Sequence, residues 1–140
     1  MLKSTVFCAS LIVAGSVAAQ ATSLTQAEAQ AKLTEAGYQH VRDAEMDDGF
    51  WEADARRADG TWVDVRVHPV TGKVYAEDTT PKLDAEAVSR KLKAAGYTNV
   101  RDIDFDDGVW EMDARNKAGV KVDLAVDPDD GAVLSEREDR

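Results

Sequence analysis

The feature that most constrains this chain is an internal repeat. Residues 24–78 return as residues 83–137 at an offset of roughly 59 with no gap, and about 25 of 55 aligned positions are identical. Gly37-Tyr38 returns as Gly96-Tyr97, and Val41-Arg42-Asp43 as Val100-Arg101-Asp102. Asp47-Asp48-Gly49, Trp51-Glu52 and Asp54-Ala55-Arg56 return as Asp106-Asp107-Gly108, Trp110-Glu111 and Asp113-Ala114-Arg115. A duplication without insertions means one fold built twice. Residues kept in both copies specify the scaffold, and residues found in only one copy are free for function or drift.

Each copy opens with a helix signature. Thr25 is an N-cap with Glu28 at the reciprocal position of a capping box, and Leu24 is placed as a staple. Ala29, Leu33 and Ala36 then share a face, and Gly37 is a C′ stop. In the second copy Asp84 caps, Glu86 suits the positive end of the dipole, Val88, Leu92 and Ala95 form the stripe, and Gly96 ends it.

The period then changes to two. Ile103 and Phe105 alternate with Asp102, Asp104 and Asp106, and Asp107-Gly108 is a hairpin turn. Trp110, Met112 and Ala114 follow, then Val122, Leu124 and Val126, with turns near residues 118–119 and 128–131 and a last short strand over residues 132–136. The first copy reads alike through Trp51, Ala53 and Ala55, then Val63, Val65 and Val67. The fold class is therefore α+β: two α-β-β-β-β repeats, each a helix packed on an antiparallel sheet. The expected division is a signal peptide over 1–21, repeat one over 22–78, a linker over 79–82 and repeat two over 83–140. Units of this size have marginal cores alone. The expectation is one tandem body, able to share a continuous sheet, with both helices on one face and a wet polar face opposite.

The N-terminus reads as an export signal: Lys3, an apolar stretch over residues 6–13, and Ala19-Gln20-Ala21 as a cleavage site. A retained anchor helix is the alternative. Cys8 lies inside this segment, so the mature chain has no cysteine and no thiolate metal site or disulfide. Export without disulfides points to a periplasmic or secreted protein. The chain carries 17 basic and 27 acidic residues, a net charge of -10, which becomes about −11 once Lys3 is removed. Such a charge disfavours nucleic acid and anionic lipid and suits basic proteins or cations. No stable membrane insertion is expected after cleavage, and the chain is expected to be a monomer.

Two sets of residues are candidates for a site. Asp102, Asp104 and Asp106, with Asp43, Glu45 and Asp47 in the other copy, form acidic rows that could hold a divalent cation. Gly108 comes one place too late for an EF-hand loop, and the simpler reading is an acidic strand that deters edge pairing. Trp62, Asp64, Arg66 and His68 share one strand phase and are the candidate partner-binding set, Trp62 being an outward tryptophan whose counterpart is Lys121. The two histidines, His40 and His68, become Asn99 and Asp127 in the second copy, and no serine sits on a sharp glycine-flanked turn. Glu52 with Asp54 and Glu111 with Asp113 lie on a flat face beside Arg56 and Arg115, without the cleft that paired carboxylate catalysis needs. No catalytic residues and no cofactor are expected.

The pattern of helix, glycine stop, Asp-Asp-Gly turn and aromatic strand resembles the PepSY domain of exported bacterial proteins and peptidase propeptides. So does the ending Val65-Arg66-Val67-His68-Pro69-Val70-Thr71-Gly72-Lys73-Val74, which returns as Leu124-Ala125-Val126-Asp127-Pro128-Asp129-Asp130-Gly131-Ala132-Val133. His68 stands where that family usually has Asp or Asn, and Asp130 where Thr is usual. The architecture is also similar to small periplasmic inhibitors with a helix-on-sheet repeat. The resemblance implies a non-catalytic module that binds, and in members attached to peptidases inhibits, another envelope protein. The alternative is an acidic envelope protein that binds calcium or another divalent cation.

Overall fold

The computed structural model describes residues 21–140. The segment expected to be a signal peptide, with Cys8, lies outside the described residues apart from Ala21. The first repeat comprises α1 (Gln26–Glu35), β1 (His40–Asp47), β2 (Phe50–Arg56), β3 (Trp62–Val67) and β4 (Val74–Ala76). The second comprises α2 (Ala85–Ala94), β5 (Thr98–Asp106), β6 (Val109–Arg115), β7 (Lys121–Val126) and β8 (Val133–Glu138).

Local chemistry sets the element ends. Thr25 and Glu28 form the reciprocal capping box, and Asp84 accepts from the Ala87 N–H at 2.8 Å. After α1, Tyr38 N–H donates to Leu33 O and Gly37 N–H to Thr34 O, the Schellman pattern, with Gly37 at φ 99°. Tyr97 and Gly96 repeat it. In the hairpins Asp48-Gly49 and Asp107-Gly108 both residues have positive φ, as a type I′ turn requires.

The strands form two separate antiparallel sheets, β1-β2-β3-β4 and β5-β6-β7-β8, rather than one continuous sheet. Each sheet buries its helix against one face. Ala29 and Leu33 of α1 pack on Ala55, Val63, Val65 and Val67, and Val88 and Leu92 of α2 on Met112, Ala114, Val122, Leu124 and Val126. Trp51 and Trp110 pack on these cores, each donating its indole N–H at 2.9 Å to the backbone just before its helix, at Leu24 O and Leu83 O.

The opposite faces depart from expectation. At their centre they are not wet: Phe50 and Tyr75 of the first sheet meet Val109 and Ala125 of the second, with Leu134 against them. The helices therefore lie on the outer sides of the pair of sheets, not together on one face. The cause is visible in sequence. Phe50-Trp51 and Val109-Trp110 are adjacent apolar residues in strands, so one of each pair must point away from its own helix. A unit with a marginal core gains by burying that second apolar spot against its sibling.

The junction is pseudo-symmetric. A Cβ on Gly108 would lie 2.6 Å from Ala76 N, and one on Gly49 would lie 2.6 Å from Ser135 Oγ. Each Asp-Gly turn is thus docked on the last strand of the other repeat.

Candidate functional site

The divergent positions His68 and Asp127 do the same local work. His68 Nδ1 accepts from the Val70 and Thr71 amides at 3.2 and 3.1 Å. Asp127 Oδ1 accepts from the Asp129 and Asp130 amides at 2.8 and 3.3 Å. Their second polar atoms then cross the junction. His68 Nε2 lies 3.2 Å from Leu134 O, and Tyr75 donates its hydroxyl to Asp127 Oδ2 at 2.8 Å. Burial pushes the Asp127 carboxyl up, but hydrogen bonds from Lys73, the Asp129 amide and Tyr75 outweigh it and hold the group below its usual value. Burial and the bond to Asp127 push the Tyr75 hydroxyl well up.

Arg66 is also in the junction. Its side chain is only 6% exposed, with Nε 2.9 Å from Glu52 Oε1, Nη2 3.4 Å from Asp107 Oδ2, and Nη1 donating to Glu111 Oε1. Its guanidinium also lies 5.7 Å from the Phe50 ring. One buried cation therefore joins carboxylates from both repeats. The counterpart of Arg66 is Ala125, so the bridge exists once. Burial raises the Glu52 and Asp107 carboxyls, with Arg66 opposing.

The four residues expected as a partner-binding row are thus divided. Arg66 and His68 are turned into the junction, while Trp62 and Asp64 stay on the surface. Trp62 is 41% exposed, with the Arg42 guanidinium 4.1 Å from its ring centroid. Arg42 Nε is also 3.1 Å from Asp54 Oδ2. In the second repeat, where Lys121 replaces Trp62, the same place is an open pocket lined by Asn99, Arg101, Asp113, Arg115 and Lys121.

Beside Trp62 lies a shallow acidic pocket lined by Asp43, Glu45, Glu52, Asp54, Asp64 and Asp107. Its pseudo-symmetric partner is lined by Asp102, Asp104, Glu111, Asp113, Asp123 and Asp48, together with Arg137. In each, the turn aspartate comes from the other repeat. The expected acidic rows contribute only in part. Asp43 and Glu45 line the first pocket and Asp102 and Asp104 the second, but Asp47 and Asp106 line neither. The rows are broken because Asp43 and Asp102 sit at positive φ (55° and 52°), where β1 and β5 bulge. The tightest carboxylate group among the described residues is instead Asp64, Glu77 and Asp107, with one oxygen of each within 4.8 Å of the others. Hydrogen bonding with Asp54, then burial and the charges of Glu77 and Asp107, push Asp64 up to about 6.

Strand alternation could have revealed Phe50, Val109 and Tyr75 as a second buried face. Nothing local marks Glu77 or Asp107 as neighbours of Asp64, because that proximity is made by docking.

Two helix-on-sheet units joined through an internal junction define a tandem α+β module. The chain belongs to the peptidase propeptide and YPEB domain family, whose profile matches residues 4–78 and again residues 75–137. That family supports a peptidase-propeptide-like regulatory module. Comparison with curated proteins and with solved structures gave no significant match. No helix among the described residues is long and apolar enough to cross a membrane.

Proposed function

We propose that the chain is a non-catalytic binding module of the periplasm or extracellular space that restrains or regulates a peptidase or another envelope protein. The observation that carries this reading is the family match over both repeats, which covers nearly the whole chain. The surface of the first repeat supports it. Trp62 is one of few large apolar side chains exposed among the described residues, and it stands beside carboxylates in a chain of net charge -10. A flat aromatic group beside charge is the composition of an interface anchor. Trp62 and Asp64 carry the contact, while Arg66 and His68 hold the two repeats in register behind them.

The test is recovery of a partner from a periplasmic extract on the immobilised chain, with Trp62→Ala and Lys121→Ala compared. The purified chain is then added to the recovered partner and peptidase activity is followed. The reading expects retention by the parent chain and by Lys121→Ala, reduced retention by Trp62→Ala, and lower peptidase activity on addition. No retained protein at micromolar concentrations contradicts it.

A further inference from the structure

The two repeats carry the same arginine platform, and only one of them covers it. In the first, Arg42 of β1 lies opposite Asp54 of β2, and Arg56 of β2 opposite Trp62 of β3. Arg42 Nε is 3.1 Å from Asp54 Oδ2, and the guanidinium carbon is 4.1 Å from the Trp62 ring centroid. In the second, Arg101 lies opposite Asp113, and Arg115 opposite Lys121. Arg101 Nη2 donates to Asp113 Oδ2 at 3.4 Å, and its Nε is 3.6 Å from Asp102 Oδ2. Hydrogen bonds made in the guanidinium plane leave its faces free. In the first repeat an indole lies on that face. In the second a cavity of about 310 Å³ takes its place, bounded by Asn99, Arg101, Asp113, Arg115 and Lys121.

The cavity is more than a missing side chain. Lys121 is exposed and lines the space without filling it. Ala114 and Val122 turn their side chains into the core under α2, so the floor is strand backbone, a flat surface suited to a ring. The first repeat's last strand stops at Ala76, but β8 reaches Glu138 and the Asp139 N–H donates to Lys121 O at 3.1 Å. Asp139 thereby adds a wall that the first repeat lacks.

Resting on the binding-module reading, we propose that this cavity receives an aromatic side chain from an exposed segment of the partner protein, seated on Arg101 as Trp62 is seated on Arg42. The first repeat shows which group the platform takes. A guanidinium attracts the negative face of a ring, most strongly that of an indole. The volume is at the lower end of the range for ligand pockets, which suits one ring. The module then offers one aromatic group, Trp62, and accepts another. Lys121→Ala leaves the platform and the floor in place, so retention of the partner by that variant is expected here too.

The probe is acetyl-Gly-Trp-Gly-amide, titrated into the isotopically labelled full chain while backbone amide and arginine Nε–H shifts are followed. An analogue with cyclohexylalanine in place of tryptophan keeps an apolar ring without a π face and is titrated separately. The proposal expects saturable shifts at Arg101, Asp113 and Lys121, with affinity about fivefold weaker for the analogue. Arg101→Gln removes this preference, so that the two peptides bind alike. Lys121→Trp, which copies the first repeat, moves the Arg101 Nε–H resonance through its own ring and abolishes the peptide response, the rest of the spectrum showing an intact fold. Equal affinity of the parent chain for the two peptides, no saturation at the three residues, a preference that survives Arg101→Gln, or undiminished binding by Lys121→Trp each overturn the proposal. If a recovered partner holds Lys121→Trp as tightly as the parent chain, the cavity assignment fails and the module reading stands. If the tryptophan peptide saturates the cavity but no partner is recovered, the module reading fails instead.

Discussion

Tyr75 of the first repeat donates its hydroxyl to Asp127 of the second at 2.8 Å, so the sequence difference between His68 and Asp127 belongs to the junction. Tyr75→Phe removes one hydrogen bond to a charged acceptor that keeps Lys73 and two backbone amides. The expected loss is about 1.5–3 kcal/mol in denaturant unfolding. Tyr75→Ala also empties part of the junction core and is expected to cost about 3–5 kcal/mol.

Arg66→Ala leaves Glu52, Asp107 and Glu111 facing one another without their buried cation. Breaking such a group by removing one partner typically costs about 3–5 kcal/mol. Burial already raises Glu52 and Asp107, and Arg66 opposes that rise. Without Arg66 both carboxyls rise further and protonate more readily on acidification. Chemical denaturation of Arg66→Ala should therefore show a large deficit at pH 7 that narrows toward pH 5.

Asp64 gives the opposite pH dependence to Asp127. Folding raises Asp64 from 3.8 to about 6, so between these values the native state holds the proton and the unfolded chain does not. Its contribution improves as pH falls through about 6 and is complete near 4. Asp64 is exposed, so solvent screening keeps this below about 1 kcal/mol. Asp127 is lowered from 3.8, so its stabilisation is present above that value and is lost as pH falls through its folded value. Thermal melts should show a shallow gain from pH 7 to 5 that Asp64→Asn removes, then a loss below about pH 4 that Asp64→Asn retains.

Gly108 and Gly119 separate backbone strain from docking. Both have positive φ, 83° and 78°, but a Cβ on Gly119 meets nothing, whereas one on Gly108 meets the Ala76 backbone. Gly119→Ala should cost about 1 kcal/mol from conformation alone. Gly108→Ala should cost about 2–4 kcal/mol, the excess arising from forcing the turn off β4. Urea unfolding of the two variants measures the difference.

The scaffold was legible because its determinants are local. Thr25, Glu28, Gly37, Asp48-Gly49 and the alternation around Val63, Val65 and Val67 act within a few residues of themselves. The junction is not legible in the sequence, although Phe50 beside Trp51 carries its signal, because a strand with both faces apolar says that something covers the second face but not what. Arg66 and His68 looked exposed by strand phase, and docking buries one and half-buries the other. The acidic pocket was least accessible of all. Asp107 reaches Asp64 only through the turn's seat on β4.

The two repeats form one body through their junction, and Asp107 meets Asp64 and Glu77 only while the second repeat's turn is seated on the first. Native-state hydrogen exchange along a denaturant series measures this directly. If the junction unites the two repeats, the most protected amides of β2 and β3 and those of β6 and β7 open with one common free energy and one common denaturant dependence. Two distinct opening free energies, each with the denaturant dependence of a single repeat, would contradict it.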